Sequence, residues 1–130
     1  MSTIVWEFRG SEITSINREG DNLVLQLAPF FLLKSLAGSI DQTRWKQQGQ
    51  LLIKQATLSG STDPVGTVRS GQLTHNAFVY RDEVPMPVSV QGEVSLRLKL
   101  EGVEDELVID CELLELQPQG LEKYVAHISK

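Results

Sequence analysis

Over residues 94–100 apolar and polar side chains alternate without exception: Val94, Leu96, Leu98 and Leu100 are separated by Ser95, Arg97 and Lys99. A period of two puts one set on one face of an extended chain, so the segment predicts a half-buried β-strand. A second apolar segment, residues 107–116, follows the polar Gly102-Val103-Glu104-Asp105-Glu106, and the two predict a hairpin. With Glu104-Asp105 at the tip, Leu100 faces Ile109, Leu98 faces Cys111 and Leu96 faces Leu113. On the other side Lys99 then meets Asp110 and Arg97 meets Glu112. Sliding one strand by two residues sets a charge opposite Val108 or Leu114. Cross-strand pairs contribute about 0.2–1 kcal/mol each, so the first register is the expected one, and it turns Cys111 into the core.

The same even-numbered phase runs back through Val84, Met86, Val88 and Val90, with Gly92 as its one gap. A single strand over residues 84–100 would be roughly 55 Å long, too long for a domain of this size, so the chain must bend or turn near Gln91-Gly92. Pro85 and Pro87 lack N–H donors, which predicts an edge strand, or an extended approach to one, over residues 84–90.

Elsewhere Ile4, Trp6 and Phe8 alternate with Val5, Glu7 and Arg9, predicting a first strand that ends at Gly10. Residues 13–18 and 22–27 flank Glu19-Gly20-Asp21 and predict a second hairpin. Residues 51–58 and 71–80 supply two more strands, although Leu51, Leu52 and Ile53 in succession leave the inward face of the former open. Residues 29–36 fit either a continued strand or a short helix, since Phe30, Leu33 and Leu36 also satisfy helical spacing. Residues 39–49, polar apart from Ile40 and Trp45, read as a loop, and so do residues 60–70, rich in Ser, Thr and Gly around Pro64. No long amphipathic helix and no strand–helix rhythm is present, which disfavours a parallel sheet. Residues 1–130 therefore read as one all-β domain. The expected architecture is an antiparallel β-sandwich or flattened β-barrel of about eight strands with at most short helical turns. Open sheets leave edges that Leu-rich proteins commonly cover by dimerising, so a homo-oligomer is a further expectation.

Composition narrows the function classes. The chain has 130 residues, 41% of them hydrophobic, enough to build one self-sufficient core. Its net charge is −5 and its 12 Lys and Arg are scattered, which argues against nucleic acid and against an anionic membrane surface as partners. The start of the chain lacks a signal-peptide pattern, and the longest apolar run, residues 27–33, is far short of the ~20 residues a membrane helix needs. A lone cysteine cannot form an internal disulfide, so the expected location is cytoplasmic.

Candidate chemistry is sparse. Three residues in all, His75, Cys111 and His127, could supply Cys or His ligands, so a structural zinc site is not expected, and no phosphate-cradling glycine loop supports a nucleotide cofactor. Glu101, Glu104, Asp105 and Glu106 read as a solvated turn and not as a calcium loop. The densest polar cluster is His75-Asn76 with Tyr80-Arg81-Asp82-Glu83. As an enzyme site it would use His75 as general base, Asp82 or Glu83 to orient it, and Tyr80 and Arg81 to bind substrate. As structure it is the end of a strand and a charged turn. Cys111, flanked by Asp110 and Glu112, reads as a buried thiol and not as a nucleophile. Trp45, between Arg44 and Lys46, could stack on a ligand or anchor a partner, or cover one end of the core. With no nucleophile, metal set or cofactor loop identified, the expected function is a non-catalytic β module that binds a ligand or protein partner or assembles with itself. The alternative is a small enzyme built on His75, Asp82 and Glu83.

Overall fold

The computed structural model describes residues 2–36, 38, 40–60 and 65–128. They form ten antiparallel strands and, among the described residues, no helix: β1 Ser2–Glu7, β2 Glu12–Glu19, β3 Asn22–Leu36, β4 Gln42–Lys54, β5 Thr57–Gly60, β6 Gly66–His75, β7 Phe78–Arg81, β8 Glu83–Pro85, β9 Ser89–Leu100 and β10 Leu107–Ile128. The all-β expectation holds, with more strands than the sequence pattern suggests.

Six strands close on themselves. β2 pairs with β6, β6 with β9, β9 with β10, β10 with β4, β4 with β3, and β3 returns to β2. The β2–β6 seam is short, with Glu12 and Ile13 opposite Thr67 and Gly66. Inside lie Phe8, Ile13, Leu25, Phe30, Ile53, Leu73, Leu96, Ile109 and Leu114, all fully buried, and removing this apolar surface from water is the main term holding the fold. Trp6 joins them edge-on to Phe8, ring centres 4.4 Å apart, and its indole N–H donates to Ser11 Oγ at 3.2 Å, so the polar end of the ring is not left unsatisfied.

The barrel is shorter than three of its strands. β3, β4 and β10 hold 15, 13 and 22 residues, and their far halves run on as a sheet extension. There residues 31–36 of β3 lie between β1 and β4, with the end of β10 beyond β4 and β8 outside β1. The N–H of Leu116 donates to Val88 O at 2.9 Å; past that point no strand among the described residues pairs with the outer edge of β10.

The hairpin of residues 94–114 forms, but in another register. Leu98 faces Leu107, Arg97 faces Val108, Leu96 faces Ile109 and Ser95 faces Asp110, a slide of four residues from the expected pairing. A slide of four preserves the face as far as Cys111; beyond it the bulge between Cys111 and Leu113 reverses the phase, so that Leu114 and Leu116 are buried and Leu113, expected opposite Leu96, is not. The cause of the slide is that β9 has two neighbours. Its other edge is fixed by β6, where Val68 faces Leu100 and Gly71 faces Leu98, and the Glu101 N–H donates to Thr67 O. Lys99 then stands beside Ser70 of β6, and Arg97 reaches Glu106 at 3.6 Å in place of Glu112.

Other differences follow from similar causes. Residues 42–49 are strand and not loop, because β3 and β10 hold this stretch by backbone pairing on both edges, which needs no apolar alternation. Residues 29–36 continue β3 as strand. The segment 51–58 breaks at Gln55, which adopts a positive φ of 53°, and 71–80 is a hairpin that turns at Asn76, φ 54°. The bend near Gln91-Gly92 is a bulge: Gly92 and Glu93 together oppose Glu112, and Gly92 takes φ 127°, a conformation side chains rarely allow. β8 is an edge strand as the prolines imply. Of the expected 60–70 loop, residues 66–70 are instead the start of β6, held as strand by its pairing with β9 and β2, and residues 61–64 lie outside the described residues, as does Ser39.

Candidate functional site

The polar cluster of the sequence is spread along one hairpin. His75 ends β6, its Nε2 2.8 Å from Gln91 O, while Asn76 bonds both N–H and C=O of Glu93. Asp82 sits at the other end. Its N–H donates to Gly71 O at 2.9 Å, its Oδ1 accepts from the Gly71 N–H at 3.3 Å, and its carbonyl accepts from the Phe8 N–H. Gly71 and His75 are four residues apart on one strand, about 13 Å at the usual rise, so the structure does not bring His75 and Asp82 together. Glu83 faces Glu7 on β1. Tyr80 lies opposite Leu73 and packs on the core, and Arg81 is exposed opposite Gln72.

Trp45 and Arg44, adjacent in sequence, point to opposite faces of β4. Trp45 is partly buried; Tyr124 meets it edge-on at 5.5 Å, Lys34 Nζ lies 4.5 Å over the ring, and its Nε1 donates to Thr43 Oγ1. On the other face the Arg44 guanidinium lies over Phe31 at 3.7 Å and donates to Glu7 Oε1 at 2.9 Å. The two do not form one binding patch. Cys111 is buried on the inward side; burial, then the Asp110 carboxylate, push its thiol up to about 11 against an opposing backbone hydrogen bond at Leu113, so it is neutral near pH 7. No group of three or more metal-ligating side chains occurs among the described residues.

An irregularity that the sequence reading passed over is better formed. On the β3 side of β4, Leu27 faces Gly49 and Phe30 faces Gln47, so Ala28 and Pro29 occupy the place opposite Gln48 alone. On the β10 side, Gln119 faces Gln48 and Lys123 faces Lys46, so Gly120, Leu121 and Glu122 stand against Gln47 alone. Both neighbours bulge from β4 at one level. The result is a pocket of about 390 Å³ whose lining includes Pro29, Lys46, Gln48, Gly120, Leu121 and Lys123. Gln47 Nε2 donates to Gly120 O at 2.8 Å, and Gln26 Nε2 bridges Gly49 O and Gln119 Oε1, each at 3.1 Å, tying the bulges to β4. Leu121 is 87% exposed at the rim. Pro29 and Gly120, each poor in a strand interior, were the signals available in the sequence.

A second concavity, about 500 Å³, sets Arg9 and Arg69 among Glu7, Asp82, Glu83 and Glu101. Its Glu7 and Asp82 are already engaged by Arg44 and Gly71, and a single bulge borders it, where Arg69 is the extra residue of β6 between Val68 and Ser70.

The fold and this pocket define a closed antiparallel barrel with a sheet extension that carries a double bulge. Comparison of the chain with protein-family models, curated proteins and solved structures finds no match in any of the three.

Proposed function

We propose that the protein is a non-catalytic binding module in which the barrel is scaffold and the double-bulge pocket at the root of the extension takes a small ligand. The observation that carries this reading is the pair of bulges facing each other across Gln47-Gln48. Bulges re-aim side chains and concentrate beside functional sites, and a volume near 390 Å³ lies within the ~300–1,000 Å³ of small-molecule pockets. The acid–base reading is less well supported, since Asp82 is held by backbone groups at the far end of the hairpin from His75. A cytoplasmic location belongs to the same proposal, as does the exclusion of nucleic acid, which the scattered basic residues do not favour. Crystallographic soaking of a fragment library tests it: fragments should collect between Pro29 and Leu121. Fragments collecting around His75 or Asp82, with the double-bulge pocket empty, would favour the enzyme.

Self-association is a second reading, favoured by the unpaired edge of β10 and the exposed Tyr124 and Val125 beside it. Three features blunt that edge. Leu116 N–H points outward to Val88, so Pro118, in the same phase, lacks its donor on the open side; the strand bulges twice; and Glu122, Lys123 and His127 line it. Ligand binding is therefore the preferred reading, and sedimentation should show a monomer at micromolar concentration. A stable dimer would reverse the preference.

A further inference from the structure

We infer that the ligand of the double-bulge pocket is an anion, a small molecule bearing a phosphate or carboxylate group clamped between Lys46 and Lys123. This rests on the pocket being the binding site.

Lys46 and Lys123 are direct cross-strand partners. Such partners have Cβ atoms about 4.5–5.5 Å apart, and like charges placed so repel. Neither ammonium has an ion pair or hydrogen bond among the described residues. Other cations of the extension are answered: Lys34 pairs with Glu122 at 2.8 Å and Arg44 with Glu7 at 2.9 Å. The carboxylate nearest in sequence, Glu122, is thus turned to Lys34, whose ammonium lies on the Trp45 side of the sheet, away from Lys46. Among the described residues no carboxylate lines the pocket, on a chain whose net charge is −5. The remaining polar lining consists of amides. Gln119 uses its Oε1 toward Gln26, which leaves its NH₂ group as a donor for a ligand. Anion oxygens between the two ammonium groups convert a repulsive pair into two charge-assisted hydrogen bonds, and Leu121 and Pro29 supply apolar surface for the rest of the molecule.

Calorimetric titration at low ionic strength with pyrophosphate, citrate and uncharged glucose tests the inference on the intact chain. Pyrophosphate or citrate should bind, glucose should not, and the double variant Lys46→Gln, Lys123→Gln should weaken binding at least tenfold. Which of the two anions binds tells phosphate from carboxylate. Without ligand, Lys123→Gln alone should raise Tm by about 1–3 °C through relief of the repulsion, which also shows that the variant folds. Anion affinity unchanged in the double variant, or no anion binding, overturns the inference. If neutral fragments still occupy the pocket in crystals, the binding reading survives that failure; if they do not, both fall.

Discussion

One row of cross-strand partners crosses the extension from the end that packs on the core to the end that is open: Trp6 faces Leu32, Leu32 faces Trp45, and Trp45 faces Tyr124. Their side chains share a face, yet Trp6 and Leu32 are 1% and 2% exposed, Trp45 is half-covered and Tyr124 is 56% exposed. The same sheet is packed on the core at one end of the row and open at the other. Indole N–H groups are satisfied in both places, by Ser11 in the core and by Thr43 in the extension, so the difference lies in apolar burial and not in hydrogen bonding. The shared core, Trp6 and Leu32 included, holds the stability, and the open end of the extension is free to carry side chains that folding does not require.

The largest effect should come from Trp6→Ala, which opens a cavity against Phe8 and should cost about 3–5 kcal/mol in urea unfolding. A loss below 1 kcal/mol would show that the shared core is not the scaffold. Next, Cys111 carries a pH dependence of the barrel. Its folded thiol titrates near 11, above its ordinary 9.0, so the folded chain keeps a proton that the unfolded chain loses first. That contribution is complete below pH 9 and is lost as pH rises through 11, by at most about 3 kcal/mol. Comparing the unfolding midpoint of the protein with that of Cys111→Ala from pH 7 to 11 isolates it, and parallel curves would refute it. Trp45→Ala removes an edge-on ring contact, the Lys34 ammonium contact and partial packing against the core, together about 2 kcal/mol, less than Trp6→Ala. Equal losses at the two tryptophans would erase the contrast between the two ends. Smallest of all, Leu121→Ser should change stability by less than about 0.5 kcal/mol, since the side chain packs on almost nothing.

The barrel was far more legible than the extension. Alternation at Ile4, Trp6 and Phe8, or at Leu96 and Leu98, reports a strand with one dry face, and those residues are all in or against the core. It fixes the face of a strand but not its partner, which is why the hairpin of residues 94–114 slid by four residues once β6 held the other edge of β9. Gln42 to Gly49 carried no such signal because only Trp45 of that stretch is a large apolar side chain, and its pairing is dictated by β3 and β10, distant in sequence. The pocket depends on two bulges brought to one level by those long-range registers, so Pro29 and Gly120 mark each irregularity without revealing that they meet. The neighbours of Trp45 in sequence misled for a geometric reason: adjacent residues of a strand face opposite ways.

The most direct test of a stable barrel with a binding extension is an amide chemical-shift map recorded while pyrophosphate is added. The account predicts shifts confined to residues 28–30, 46–48 and 119–123, with barrel amides such as those of Leu73, Leu96 and Ile109 unmoved. Shifts gathered around Arg9, Arg69 and Asp82, with the double-bulge residues silent, would contradict it.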